Sequence, residues 1–354
     1  MKLFIPGPTN VRQEVLQAMT KSLIGHRTKS ASELQKNISM NMQDVFGSKE
    51  MVLCSTSSGT GLMEGSIRSC TSSKAAVFSM GSFGNKWHKI GISNGLHVDL
   101  YKVKEGKHID ANFVEDALKK DHYDFVAITH NETSTGVCND LTEISELLRG
   151  KDIVWAVDGV SSVGGVKIDT DELGIDILLT STQKCLGLPP GMAFCTFSEK
   201  AIEKAKNVKL RGMYFDLLSL YKKILEKDYQ YPNTPNISLM YAAEVQTNYM
   251  VHEEGLATRY QRHKDLANIV RNWAKENFAL FVEEEAFASD TVTCVKNTRN
   301  IDIGALNKFL GKKDMMISNG YGDLKNETFR IAHMADMTKE DIEELLYEID
   351  QFIK

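Results

Sequence analysis

A series of short runs that are apolar on successive residues narrows the possible folds of this chain more than any other feature. Ile153-Val154-Trp155-Ala156-Val157 is the plainest of them. A strand with one wet face alternates apolar and polar side chains, so an unbroken apolar run of strand length belongs to a strand covered on both sides. Strands are read at 51–54, 75–79, 98–102, 125–130, 153–158 and 176–180, with room for two more beyond. Between them, segments 60–69, 83–93 and 140–149 have helical length, and Asp140 stands three residues before Glu143 as in a capping box. Strands alternating with helices predict an α/β fold whose mostly parallel sheet carries helices on both faces.

Near residue 212 the pattern changes to long helical stretches, 213–226, 238–252 and 256–277, with Pro232 and Pro235 before the second. A chain of 354 residues exceeds one ordinary core. The boundary is placed at Glu254-Gly255, giving a large unit with an N-terminal arm over 1–254 and a smaller α+β unit over 255–354. The smaller unit is read as strands at 291–295 and 328–332 and a last helix capped by Thr338 and Asp341.

Composition removes several classes of function. The net charge of -5 is spread along the chain with no basic stripe, which argues against nucleic acid. No apolar run approaches the length of a membrane span. The six cysteines form no Cys-x-x-Cys pair and no signal peptide precedes them, a usage expected of a reduced, cytoplasmic protein without structural zinc.

The chemistry-bearing groups gather after strand ends, on the rim where open α/β sheets bind ligands. Ser57-Ser58-Gly59-Thr60-Gly61 lies between a strand and a helix and suits either a tight turn or a phosphate at the helix N-terminus. Asp158 ends the most apolar strand, where an acid is either a cap or a ligand. Lys184 follows Ser181-Thr182-Gln183 and precedes the Pro189-Pro190-Gly191 turn; a lysine in a loop is ordinarily a solvated charge, but this one shares the rim with Asp158. His130-Asn131-Glu132-Thr133-Ser134-Thr135-Gly136 adds hydroxyls, an acid and an imidazole after another strand. A lysine to bond, an acid for a pyridine nitrogen, a phosphate cup and a hydroxyl for a ring oxygen are together what pyridoxal 5′-phosphate requires.

With those residues in view, the chain resembles the class V aminotransferases of fold type I, in particular the alanine:glyoxylate and serine:pyruvate branch. The resemblance runs nearly end to end. It includes Pro6-Gly7-Pro8-Thr9-Asn10, Gly25-His26-Arg27, Ser58-Gly59-Thr60-Gly61-Leu62-Met63-Glu64 and Glu132-Thr133-Ser134-Thr135-Gly136. It continues through Val157-Asp158-Gly159-Val160-Ser161-Ser162, Ser181-Thr182-Gln183-Lys184, Asn233-Thr234-Pro235, Glu254-Gly255-Leu256 and Phe329-Arg330-Ile331-Ala332.

That resemblance implies a seven-stranded, mostly parallel sheet in the large unit, pyridoxal phosphate bonded to Lys184, and Asp158 against the pyridine nitrogen. Lys184 would also be the base that moves the proton of the substrate α-carbon. Phe83 and Val160 would sandwich the ring, Phe83 standing where the family often has Trp and so keeping the stack without an indole donor. Ser58, Gly59, Thr60 and Gln183 match phosphate positions, and Thr133 matches the hydroxyl for the ring oxygen. Tyr231 and Thr234 match residues that reach a partner subunit's phosphate, which implies a homodimer with shared sites. Arg330 matches the clamp for the substrate carboxylate. The expected reaction passes an amino group by a ping-pong route from alanine or serine to glyoxylate or pyruvate. The alternatives are an aspartate or 2-aminoethylphosphonate donor, for which Arg27 or Arg211 would have to supply a second cation. A cysteine desulfurase would need Cys294 as a mobile nucleophile.

Overall fold

A computed structural model describes residues 1–354 and contains two large sheets. The first has seven strands in the order Leu53–Ser55, Ala193–Cys195, Ile177–Ser181, Val154–Asp158, Phe125–Thr129, Lys74–Ser79, His97–Lys102. Only Ala193–Cys195 runs against its neighbours. All five residues of Val154–Asp158 are buried, as are those of Phe125–Thr129 and Ile177–Ser181, which is why their sequences do not alternate. Two apolar clusters, one on each face, cover this sheet: Trp155, Val157 and Phe194 belong to one, Ala156, Leu179 and Trp87 to the other.

The second sheet has five strands in the order Lys2–Phe4, Met315–Asn319, Thr328–Ala332, Val292–Lys296, Ala279–Leu280. Its apolar face packs with Leu266, Val270, Leu345 and Ile349, from helices Leu256–Asn277 and Lys339–Ile353, into a separate core. The first strand, Lys2–Phe4, lies parallel to Met315–Ile317, so the N-terminal arm is stitched to the C-terminal sheet and not to the large one.

Helix Leu256–Asn277 forms over the expected residues, and Lys339–Ile353 opens on the Thr338/Asp341 capping box. Two starts differ from expectation. Asp140 makes no capping box: its carboxylate accepts from the Thr142 amide at 2.9 Å, and the helix begins at Thr142 behind Leu141. The helix expected from 213 begins at Leu217, because Asp216 caps it and the preceding residues leave Gly212 at positive φ with Met213 in solvent. Helix Ile237–Asn248 widens into a π-turn over Tyr249–Glu253.

Candidate active site

The rim formed by the C-terminal ends of the parallel strands gathers the groups singled out above. Asp158 ends its strand in register with Thr129 on one side and Leu179 on the other. One carboxylate oxygen accepts from the Val160 amide at 2.9 Å, and burial pushes the carboxyl up to about 6. Lys184 stands three residues past strand Ile177–Ser181, and burial brings its ammonium down to about 8. Its Nζ donates to the Pro6 carbonyl, and the Thr9 hydroxyl donates to the Lys184 carbonyl at 3.3 Å. The Pro6-Gly7-Pro8 turn therefore packs on the lysine. Gly7 sits at φ +88, and a Cβ there would meet the Lys184 side chain and the Gln183 carbonyl at 2.7 Å, so no other residue fits without displacing them.

The helix Gly59–Cys70 points its N-terminus at the same place. Ser58 is its N-cap but makes no side-chain cap, which leaves the Gly59 and Thr60 amides open to an anion. A Cβ on Gly59 would lie 2.5 Å from Val160 Cγ2, so the glycine is what lets the helix start approach Val160. Beside it Ser181 Oγ is buried without a partner, as is Gln183 Oε1. Orphaned groups in a rim that also carries an open helix end mark a place for a polar ligand.

Phe83 lies in the first turn of helix Ser82–Ser93, and the buried Glu132 holds that turn in place. One Glu132 carboxylate oxygen accepts from the amides of Phe83 at 3.0 Å and Gly84 at 3.1 Å. The Lys86 ammonium lies 4.8 Å from the Phe83 ring centre and forms no ion pair. Thr133 donates its hydroxyl to Ser161 at 2.9 Å. Across the gap, from strand Thr328–Ala332 of the second sheet, comes Arg330, only 7% exposed. Its Nε and Nη2 both donate to the Asn319 carbonyl at 3.1 Å, and Nη1 donates to the Thr133 carbonyl at 3.2 Å. It meets no carboxylate, and burial lowers its pKa.

The family model for aminotransferase class-V matches residues 2–345. The chain belongs to that family. An uncharacterized aminotransferase of Methanocaldococcus jannaschii is 37% identical, the match covering 94% of this chain and 87% of that protein. The L-aspartate–glyoxylate aminotransferase of Paracoccus denitrificans is 30% identical, over 95% of this chain and 87% of its own length. A solved alanine–glyoxylate aminotransferase from Nostoc sp. superposes with a TM-score of 0.94 at 28% identity, over 100% of this chain and 95% of that one. The fold is thus that of the fold-type-I aminotransferases, and this class-V aminotransferase is an amino-group-transferring enzyme.

Tyr231 is 3% exposed and its hydroxyl accepts from the Thr56 amide of its own chain at 3.0 Å, whereas Thr234 lies on the surface. Arg27 donates to the carbonyls of Tyr231 and Pro232 and meets no carboxylate, whereas Arg211 pairs with Asp216 at 3.0 Å and is no free cation. His130 contacts Ser162 at 2.9 Å and Cys138 at 3.3 Å, and burial lowers it to about 4, which keeps it a neutral hydrogen-bonding group. Cys294 is fixed in strand Val292–Lys296, with burial pushing its thiol up to about 12; it is no mobile nucleophile. Three groups beside the rim carry no role in the sequence reading: Ser181, Lys86, and Tyr321, whose ring centre lies 5.6 Å from that of Phe83. Of these only Ser181 carried a usable signal, a hydroxyl at a strand end beside the candidate lysine.

Proposed function

We propose that this class-V aminotransferase uses pyridoxal 5′-phosphate to move the amino group of a small neutral amino acid, alanine or serine, to glyoxylate or pyruvate, by a ping-pong route. The observation that carries the reading is a deeply placed lysine and a buried acid on one rim, facing an arginine that lacks an anionic partner. When bound, the cofactor supplies an electron sink for the bonds at the amino acid's α-carbon.

The chain's own groups supply the rest. Lys184 holds the cofactor and, when released, takes and returns the α-carbon proton; a pKa near 8 suits it to that exchange at neutral pH. Asp158 keeps a proton on the pyridine nitrogen, and a cation beside it would draw its carboxyl back down from about 6. Phe83 and Val160 cover the two ring faces, and Thr133 serves the ring oxygen. The open amides of Gly59 and Thr60, with Ser58 and Gln183, receive the phosphate. Arg330 takes the substrate carboxylate on its planar fork.

The proposal includes a homodimer in which Tyr231 and Thr234 serve the partner's phosphate. Thr234 is exposed, and the Tyr231 hydroxyl, which accepts from the Thr56 amide beside the phosphate loop, keeps its own proton to donate. It also includes a division at Glu254-Gly255 into a cofactor unit and a smaller unit, supported by the separate core of the second sheet. A cytoplasmic setting is supported by six free cysteines, and no helix is long and apolar enough to cross a membrane.

A second reading, aspartate as donor, draws support from the unpaired Lys86 beside Phe83, a cation for a distal carboxylate. Single-turnover bleaching of the bound cofactor's visible band separates the two. Alanine or serine should react at least ten-fold faster than aspartate or 2-aminoethylphosphonate, a margin of about 1.4 kcal/mol in barrier. The reverse order favours an acidic donor, for whose distal group Lys86 is the candidate cation.

A further inference from the structure

Tyr321 occupies a position that packing does not explain. A tyrosine kept for structure buries its ring and bonds its hydroxyl. Tyr321 is 41% exposed, and its hydroxyl makes no hydrogen bond within the protein. Its ring centre nevertheless lies 5.6 Å from that of Phe83 at an interplanar angle of 33°, and the Arg330 guanidinium carbon lies 5.5 Å from the same ring.

The loop that carries Tyr321 is built to hold it there. It joins strands Met315–Asn319 and Thr328–Ala332 and is fastened at its base by two bonds of 2.8 Å, from Asn319 Nδ2 to Asn326 Oδ1 and from the Asn326 amide to Asn319 Oδ1. A Cβ on Gly320 would come within 1.9 Å of the Leu324 carbonyl, so the loop is wound too tightly for any side chain at that point. Gly322, at φ +59, brings the tip against the helix of Phe83, its Cβ position 3.6 Å from Ser82 Oγ. The carbonyl at the base of the loop, that of Asn319, is also the one that receives two of the Arg330 donors. One loop thus sets both the carboxylate clamp and an aromatic wall beside it.

We propose that Tyr321 is the specificity-determining residue that limits the length of the donor's side chain. This rests on the reading of Arg330 as the carboxylate clamp. With the carboxylate on Arg330 and the reacting nitrogen over the ring that Phe83 covers, the α-carbon lies between Phe83 and Arg330. Tyr321 touches both of those residues, so a side chain leaving the α-carbon toward the loop meets its ring. Donors with one or two side-chain heavy atoms, alanine, serine and 2-aminobutyrate, clear the wall; unbranched chains of three or more do not.

The test is a homologous series, alanine, 2-aminobutyrate, norvaline and norleucine, reacted in single turnovers with cofactor-loaded wild type, Tyr321→Ala, Tyr321→Phe and Tyr321→Trp. Tyr321→Ala should raise the norvaline-to-alanine rate ratio ten-fold or more, Tyr321→Phe should keep the wild-type ratio, and Tyr321→Trp should lower the 2-aminobutyrate-to-alanine ratio. Spectral titration with the α-methyl forms of the same amino acids, which have no α-proton to lose, should show the same ordering in dissociation constants. Ratios unmoved in both Tyr321→Ala and Tyr321→Trp, with alanine still reacting, overturn the role of Tyr321 and leave the functional reading standing. Failure of every amino acid to react with loaded wild type overturns the functional reading, and the wall falls with it.

Discussion

Arg259 and Arg330 are both buried beside the sheet rim, yet Arg259 meets two carboxylates and Arg330 meets none. Arg259, fully buried, pairs with Glu254 and Asp336 at 2.6 Å each and donates to the carbonyls of Gly164 at 2.9 Å and Cys185 at 2.7 Å. Burial pulls its pKa down, but the two acids outweigh that and leave it raised. For Arg330 burial prevails and the pKa falls. A buried charge is expensive unless paired. Arg259 is therefore a finished clasp, tying the turn after Asp158 and the residue after Lys184 to Asp336, while Arg330 is a cation whose counter-ion must come from outside. The same contrast extends to Asp158 and Lys184, each buried with fewer partners than its charge calls for.

Removal of each arginine tests the contrast most strongly. Arg259→Ala leaves Asp336 without a cation and Glu254 with Arg262 alone, and should cost about 3–5 kcal/mol in chemical denaturation. Arg330→Ala should cost less, about 1–3 kcal/mol of stability, since it leaves carbonyls unsatisfied but strands no charge, while sharply lowering kcat/KM for the donor. If Arg330→Ala were the more destabilising of the two, the distinction would be wrong.

Asp158→Asn should slow α-proton removal by roughly 10²-fold or more with cofactor retained, because an amide cannot hold the pyridinium. In the cofactor-free protein the sign of its stability effect is opposite. Asp158 titrates near 6 in the folded chain against 3.8 ordinarily, so its buried negative charge begins to cost stability above about pH 4 and does so fully above about 6. The asparagine variant should thus gain on wild type in thermal midpoint at pH 8 relative to pH 4. Equal midpoint differences at both values would contradict the assigned burial.

A smaller effect concerns Lys184. Only the neutral amine captures cofactor, and a pKa near 8 rather than 10.5 predicts that the capture rate of cofactor-free protein rises with pH and levels off past a midpoint near 8. A rise that continues toward 10 would mean a solvated lysine.

Much of this contrast was legible in the sequence, for a physical reason. Strands buried on both faces show unbroken apolar runs, so the groups at their ends, Asp158 and Lys184, could be placed on one rim without coordinates. Helix Leu256–Asn277 and the Thr338/Asp341 box were equally readable because their signals are local. Lys2–Phe4 pairing with Met315–Ile317 was not, since three residues joined across the whole chain leave no local mark. Arg330 was matched to the carboxylate clamp by resemblance, but its lack of a carboxylate is visible only in space. Tyr321 escaped notice because its contact is made in space, from a loop of the second sheet to Phe83 on a helix of the large unit. The bond from the Thr56 amide to the Tyr231 hydroxyl, which ties that tyrosine to the phosphate loop of its own chain, was likewise invisible, since 175 residues separate the two.

The account rests above all on Lys184 being the residue that holds the cofactor. Borohydride reduction of the pyridoxal-phosphate-loaded protein, followed by digestion and mass spectrometry of the modified peptide, addresses that directly. The label should appear on Lys184, one per chain, and should be absent after Lys184→Ala. A label on another lysine, or undiminished labelling of the Lys184→Ala variant, would contradict it.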